Sequence, residues 1–331
     1  MKKRKICKTS EVNLAQYHKK RLSMKIFLIS FLLLVLSGHL VASEDAKENE
    51  YKLIPIGVYS YASLASQSVH SPGVAIALKN DINMFVASYQ YSKFMKDPLF
   101  NAPSDYHAAN FLGDIYHEAW NTLVIFRSES DDPFGGGLRT FQLGTAVGYD
   151  FFNEESSALI FGLGLAVGDF GVKLSNGKPL LVIPVPLIRY QKESDFIKID
   201  FSFLTGPNFS MTLGAKSKIR LTNDVRFDRL RDAGDIIFES ILWYRFFDST
   251  HEFGDFAGVG IGLKREDATF DLANREEVFS VQYYGGFVTF DISILKISAG
   301  YTFGAVERHG DDFTTDLNNG FYTEIQGLYQ F

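Results

Sequence analysis

Past residue 43 this chain has no cysteine, no apolar run of membrane-helix length and no excess of basic charge. Each absence excludes something. The only cysteine is Cys7, so the body of the chain is held together without disulfides. A membrane helix needs about 20 predominantly apolar residues. Without one, the body either stays in water or crosses a bilayer as strands, because only helices and closed barrels satisfy their backbone groups in lipid. Residues 1–43 hold nine of the 33 Lys and Arg and one of the 39 Asp and Glu, which leaves 24 basic against 38 acidic side chains, a formal charge of −14. Nucleic acid demands a basic face, so no nucleic-acid partner is expected.

The apolar run that does exist lies near the start. Ile26 to Leu36 (IFLISFLLLVL) follows Lys19, Lys20, Arg21 and Lys25, and leads to a small-residue site at Val41-Ala42-Ser43. A basic segment, a short apolar core and a small-x-small site describe a secretory signal peptide, cleaved near Ala42 or Ser43. The run is short for a membrane anchor. Residues 1–43 are therefore read as leader and signal peptide, with Met24 as an alternative true start. Residues 44–50 (EDAKENE) read as a flexible charged segment, and residues 51–331 as a single domain.

That domain is a succession of roughly ten-residue segments with period-2 alternation, parted by turns. Phe141, Leu143, Val147, Tyr149 and Phe151 alternate with Gln142, Gly144, Ala146, Gly148 and Asp150. Phe161, Leu163 and Leu165 alternate with Gly162, Gly164 and Ala166, and Val259, Ile261 and Leu263 with Gly258, Gly260 and Gly262. Small residues on one face suit the crowded inside of a closed sheet. Pro184 and Pro186 predict a bulge or irregularity in the segment 179–192. Residues 94–113 read as a long loop with a short helix near His107 to Phe111, Ile115 to Arg127 as one strand, and 308–319 as a polar loop. Aromatics gather beside turns: Tyr149, Phe151 and Phe152; Tyr244, Phe246 and Phe247; Tyr301 and Phe303.

The last stretch, GFYTEIQGLYQF, places Phe321, Thr323, Ile325, Gly327, Tyr329 and Phe331 on one face, with Tyr322, Glu324, Gln326, Leu328 and Gln330 on the other. In this it resembles bacterial outer-membrane β-barrel proteins, whose closing strand ends on Phe after alternating aromatic or aliphatic residues. Gly327 departs from that alternation. The resemblance implies an all-β fold, an antiparallel transmembrane β-barrel located in the outer membrane. It implies outer-membrane lipid and the barrel-assembly machinery as partners, with Phe331, Tyr329 and Ile325 as the assembly signal. Short turns on one side and long loops on the other are the habit of this class, and the connections follow it from residue 115 onward. Upstream, the 79–81 turn and the 94–113 loop fall on the wrong sides. Fifteen segments are recognisable; the expectation is about 14 strands, within a range of 12–16.

The densest charge pattern lies in one segment. Lys216, Lys218, Arg220, Asp224, Arg226 and Asp228 share a parity opposite Ile219, Leu221, Val225 and Phe227. A basic residue facing lipid at the midplane costs about 2–4 kcal/mol, so the charged set is expected to line the lumen, with Glu239 and Arg245 of the next segment pairing with it. Such a lining either selects solutes along a path or fills and stiffens the barrel as a salt-bridge network. The five histidines past residue 43, at 70, 107, 117, 251 and 309, sit in no hydrolase or metal motif. Ser68-Val69-His70-Ser71 and His117-Glu118 are the only local candidates for catalysis, so an enzyme is not expected. Neither a cofactor nor a metal is expected, since the acidic loops at 129–132 and 311–316 match no calcium-loop spacing. The expected role is a passive channel or a structural surface protein. The alternatives are a secreted soluble all-β binding protein and a lipid-modifying enzyme of the outer membrane.

Overall fold

The computed structural model describes residues 51–331 apart from 64–67, 81, 96–102, 134, 136, 155, 171–173, 204–206, 228–235, 248–256, 274–277, 293–294, 311–312 and 329–331. The leader, its cleavage site and the charged segment 44–50 lie outside the described residues, as do Asp228, Tyr329 and Phe331.

The chain runs up and down through β1 (Lys52–Ser63), β2 (Ser68–Lys79), β3 (Met84–Phe94), β4 (Asp105–His117), β5 (Trp120–Ser130) and β6 (Gln142–Glu154). It continues through β7 (Ser157–Val167), β8 (Val182–Glu193), β9 (Ile197–Phe203), β10 (Pro207–Leu213), β11 (Ile219–Phe227) and β12 (Ile236–Arg245). The last elements are β13 (Ala257–Asp271), β14 (Val278–Ile292), β15 (Leu295–His309), β16 (Phe313–Leu317) and β17 (Gly320–Leu328). Each strand pairs antiparallel with the next up to β15. Then β17 pairs with β15 on one side and with β1 on the other, where Tyr59 faces Ile325. The result is a closed ring of 16 strands. β16 pairs only with the far end of β15 and stands outside the ring.

The count is 16 rather than 14, and the missing strand is β4. Residues 105–117 are strand, not a loop with a helix at His107 to Phe111, and Ile115 to Arg127 is two strands. They meet in a two-residue hairpin, with His117 opposite Trp120 around Glu118 and Ala119. Glu118 sits at φ 55°, the left-handed conformation that two-residue hairpin turns require. No Gly, Asn or Asp marks it, so the sequence shows no turn. With β4 in place most connections fall on their proper side. Connections of two to five residues (80–83, 118–119, 155–156, 194–196, 214–218, 293–294) lie on the rim that also holds the start of β1 and the end of β17. The longer loops lie on the other rim apart from the 11-residue connection 246–256, and that other rim also holds the short connections 64–67 and 204–206.

The prolines of β8 make no bulge. Leu163 faces Pro186 and Leu165 faces Pro184 in unbroken register with β7. On its other side β8 meets β9 only from Ile188 onward, so the prolines occupy a free edge with no ladder bond to lose.

Side chains divide as the alternation predicts. Val74, Leu163, Ile261 and Phe321 are 61%, 66%, 62% and 74% exposed on the outer surface. Asp114, Asn121, Arg220, Lys264, Thr289 and Thr302 are buried within. Glycines let large inner side chains lie flat on the wall. A Cβ on Gly262 would sit 2.6 Å from Phe287 Cζ, and one on Gly300 would sit 2.3 Å from the Gly286 carbonyl oxygen and 2.6 Å from Tyr322 Cε1.

Three strands outgrow the ring. β13, β14 and β15 are 15 residues each, and their far ends with β16 form a four-stranded extension. A bulge starts it. The β14–β15 register shifts between Gln282 and Tyr284, across from Gly304 at φ 60°. An extra residue bends a strand and reverses which face each following residue takes. Ser298 and Thr302 are buried before the bulge; Ala305, Glu307 and His309 are buried after it. The polar stretch read as a loop at 308–319 therefore contains the end of β15 and all of β16.

Candidate functional site

The extension folds over the long-loop mouth. Asp271 at the end of β13 pairs with Ser130 at the end of β5, eight strands away around the ring. The Ala273 carbonyl accepts a 2.7 Å hydrogen bond from Arg139, and its amide donates to Asp131 Oδ1 at 2.8 Å. Beneath these polar ties is an apolar core. Phe94 and Tyr106 point inward from β3 and β4 and pack on Phe270, Phe279, Val281 and Ala305 of the extension. Tyr106 stacks on Phe270 at 4.5 Å and on Phe279 at 5.1 Å, with Phe94 edge-on at 5.5 Å. Aromatic pairs of this kind add about 0.5–1.5 kcal/mol each beyond buried area. This cap is packed like a domain core rather than draped like a loop.

A cavity of about 390 Å³ remains between the cap and the barrel wall. Val58, Ser60, Ser71, Gln90 and Ser92 line one side; Asp267, Thr269, Phe270 and Val281 of the extension line another. Its charged wall comes from β5, β11, β13 and β17: Glu129, Arg226, Lys264, Glu266 and Glu324. Lys264 Nζ lies 3.4 Å from Glu266 Oε1, 3.5 Å from Glu324 Oε2 and 4.4 Å above the Tyr322 ring. Lys296 pairs with Glu239 at 3.8 Å. A second network lies on the inner wall between β4, β5 and β8. Asp114 accepts from Arg189 at 2.8 Å and from Asn121 Nδ2 at 2.5 Å, and Tyr116 Oη stands 3.4 Å from the same guanidinium.

The charged set expected on one segment is dispersed. Lys216 and Lys218 sit in the exposed 214–218 turn rather than in the lumen. Lys216 pairs instead with Asp195 of the neighbouring turn. That hydrogen bond, and then its charge, holds the Asp195 carboxyl below the usual carboxylate range and raises the Lys216 ammonium. Arg220 is buried and donates from Nε to the Ser217 carbonyl at 2.8 Å. Asp224 and Arg226 follow it on the inner face, and Arg226 reaches the cavity. For Glu239 and Arg245 the charged partners seen among the described residues lie on other strands than β11. Glu239 stands opposite Asp224 and takes Lys296; Arg245 takes Asp291 at 2.7 Å and covers the Trp243 ring at 4.2 Å. Ile325 points outward on the closing strand. Sequence reasoning missed Lys264, Glu324, Asp114 and Arg189. Lys264 and Glu324 were legible as charges on the glycine or tyrosine parity of their strands, which is the inward one.

The histidine candidates are split across the wall. His70 turns outward and hydrogen-bonds Tyr59 Oη at 2.7 Å, while Ser71 turns inward to Ser92 at 2.9 Å. His107 also faces outward, bonded to Tyr89 Oη at 2.6 Å. His117 is exposed beside its hairpin turn. Among the described residues no group of three His, Cys, Asp or Glu side chains has metal-holding geometry.

Outer aromatics form two bands. Trp120, Tyr149, Phe151 and Phe161 make an edge-to-face chain near the short-turn rim, with centroids 5.2 to 6.5 Å apart. Tyr59, Tyr61, Tyr89 and Tyr91 cluster with His70 and His107 toward the other rim. Leu163, Leu165, Ile261 and Leu263 lie exposed on the same outer face. Among the described residues no helix is long and apolar enough to cross a membrane.

Fold and interior together define a class: a closed antiparallel β-barrel with a charged, partly filled lumen capped at one mouth. No protein-family model matches the chain, and no curated protein matches it.

Proposed function

We propose that this is an integral outer-membrane β-barrel protein. In this reading it is delivered by its signal peptide and inserted by the barrel-assembly machinery. One observation carries the reading: the outer face is apolar and bounded by aromatic bands, while charge is turned inward. That arrangement suits acyl chains outside and water within. A protein folded for water would bury Leu163, Ile261 and Phe321 instead of displaying them. The cap refines the role. In this reading any solute path through the long-loop mouth passes the packed cap. A purely structural surface role is the second reading, favoured by the packed core under the cap.

The experiment is fractionation combined with one substitution. The protein is expected only in detergent extracts, with heat-modifiable gel mobility. Leu163→Arg is expected to destabilise it by about 2–4 kcal/mol in lipid vesicles, against about 0.5 kcal/mol or less for a solvated surface site. Release into the soluble periplasmic fraction, with a neutral Leu163→Arg, overturns the proposal.

A further inference from the structure

The inner face of the ring is filled unevenly. On β6 to β8 the inward Ala146, Ile160 and Leu187 are buried, and on β12 to β15 so are Trp243, Thr289 and Thr302. On β9 to β11 the inward Ser202, Asn208, Ser210, Thr212, Thr222 and Asp224 are only half-buried, and Arg226 is exposed. Register fixes their direction. Asp200, Ser210, Asp224 and Glu239 oppose one another strand by strand, in line with the inward Lys264. Phe209, between Asn208 and Ser210, is exposed on the outer surface. An inward side chain of a closed ring meets water only through the lumen, so this sector borders open space.

The cap holds elsewhere. Its core packs on Phe94 and Tyr106 of β3 and β4, and its polar ties reach Ser130, Asp131 and Arg139. Those contacts all fall away from β9 and β10, which at seven residues each are the shortest strands of the ring. Open space exists at both ends of the sector. Arg226 lines the cavity beneath the cap. Toward the short-turn rim a second cavity of about 270 Å³ is lined by Ala158, Gln191, Lys198 and Asp200. Asn208 and Ser210 stand between the two: Asn208 faces Arg226, and Ser210 faces Asp200.

Hydroxyl and amide groups dominate this wall. Its accessible charges balance, Asp200 and Asp224 against Lys198 and Arg226, while Arg220 on the same face is buried. Asp200 accepts from Gln191 at 2.7 Å, and Lys198 pairs with Glu193 at 3.3 Å.

We infer that an eccentric, water-filled passage runs along β9 to β11 and joins the two cavities, and that it carries small uncharged hydroxylated solutes with little preference between cations and anions. Hydroxyls and amides both donate and accept, so they replace water around such a solute, whereas an ion meets charges of both signs. The passage rests on the membrane reading of the ring and adds a solute class to it.

The test uses single cysteines in full-length protein reconstituted into liposomes. The parent, whose one cysteine is Cys7, gives the background. A membrane-impermeant sulfonated methanethiosulfonate is expected to modify Ser210→Cys at least ten-fold faster than Phe209→Cys, its outward neighbour, or Ser298→Cys, which is inward but buried. Modification at 210 is expected to slow arabinose entry, read by liposome swelling, two-fold or more. The permeability ratio of potassium to chloride is expected within three-fold of one. Slow modification of both Ser210→Cys and Phe209→Cys, arabinose entry that ignores modification, or a larger ion preference overturns the passage alone. Phe209→Cys modified as fast as Ser210→Cys overturns the membrane reading and the passage with it.

Discussion

Two residues show how local chemistry sets measurable behaviour. Glu118 occupies a left-handed turn position that costs a residue with a Cβ about 1–2 kcal/mol. Glycine removes that strain but loses more freedom on folding, by about 0.4–1 kcal/mol. Glu118→Gly is therefore expected to stabilise the barrel by up to about 1 kcal/mol, read from the urea midpoint. Asp195 and Lys216 make the opposite case, an exposed pair between two turns. A carboxyl held below its usual range adds stability above its unfolded pKa, and that contribution is lost as pH falls through the folded one. Lys216→Ala is thus expected to be slightly less stable than the parent at neutral pH, with the difference vanishing toward strong acid. A pH series of unfolding midpoints checks it. Exposed pairs are weak, so the effect is small.

At the scale of elements, the cap is the part to perturb. Tyr106 is fully buried between Phe270 and Phe279 and belongs to β4, not to the extension it holds. Truncating a buried aromatic costs about 3–5 kcal/mol, and here the loss falls on the cap–wall contact rather than on the ring. Tyr106→Ala is expected to leave heat-modifiable mobility intact, to speed amide exchange at 305–309, and to raise planar-bilayer conductance above the parent's. Unchanged exchange and conductance would mean that the cap is held by its polar ties alone. Elements were legible where alternation was clean. β6, β7 and β13 declared themselves by aromatic or aliphatic residues against glycine and alanine. β4 did not, because its turn lacks any turn-forming residue and its inner face mixes Tyr106, Ala108, Asn110 and Asp114. The extension was hidden too: the bulge at Gly304 reverses the parity of β15, and a reader following period 2 loses the strand there.

For the whole molecule, inside and outside were readable but the filling was not. Apolar parity against small or charged parity gives the direction of each side chain. It does not say which charges meet, since Lys296 reaches Glu239 from three strands away and Asp114 takes Arg189 from four. Those meetings depend on closure of the ring, and closure joins residues more than 260 positions apart in the chain, as at Tyr59 and Ile325. That seam has a consequence for biogenesis. The first strand made must wait, with one row of amides and carbonyls unsatisfied, until the last is finished. A nascent chain caught short of Gly320 would carry two raw edges, on β1 and β15, each inviting foreign strands. Whatever escorts this polypeptide has to shield those edges and hand over both ends together.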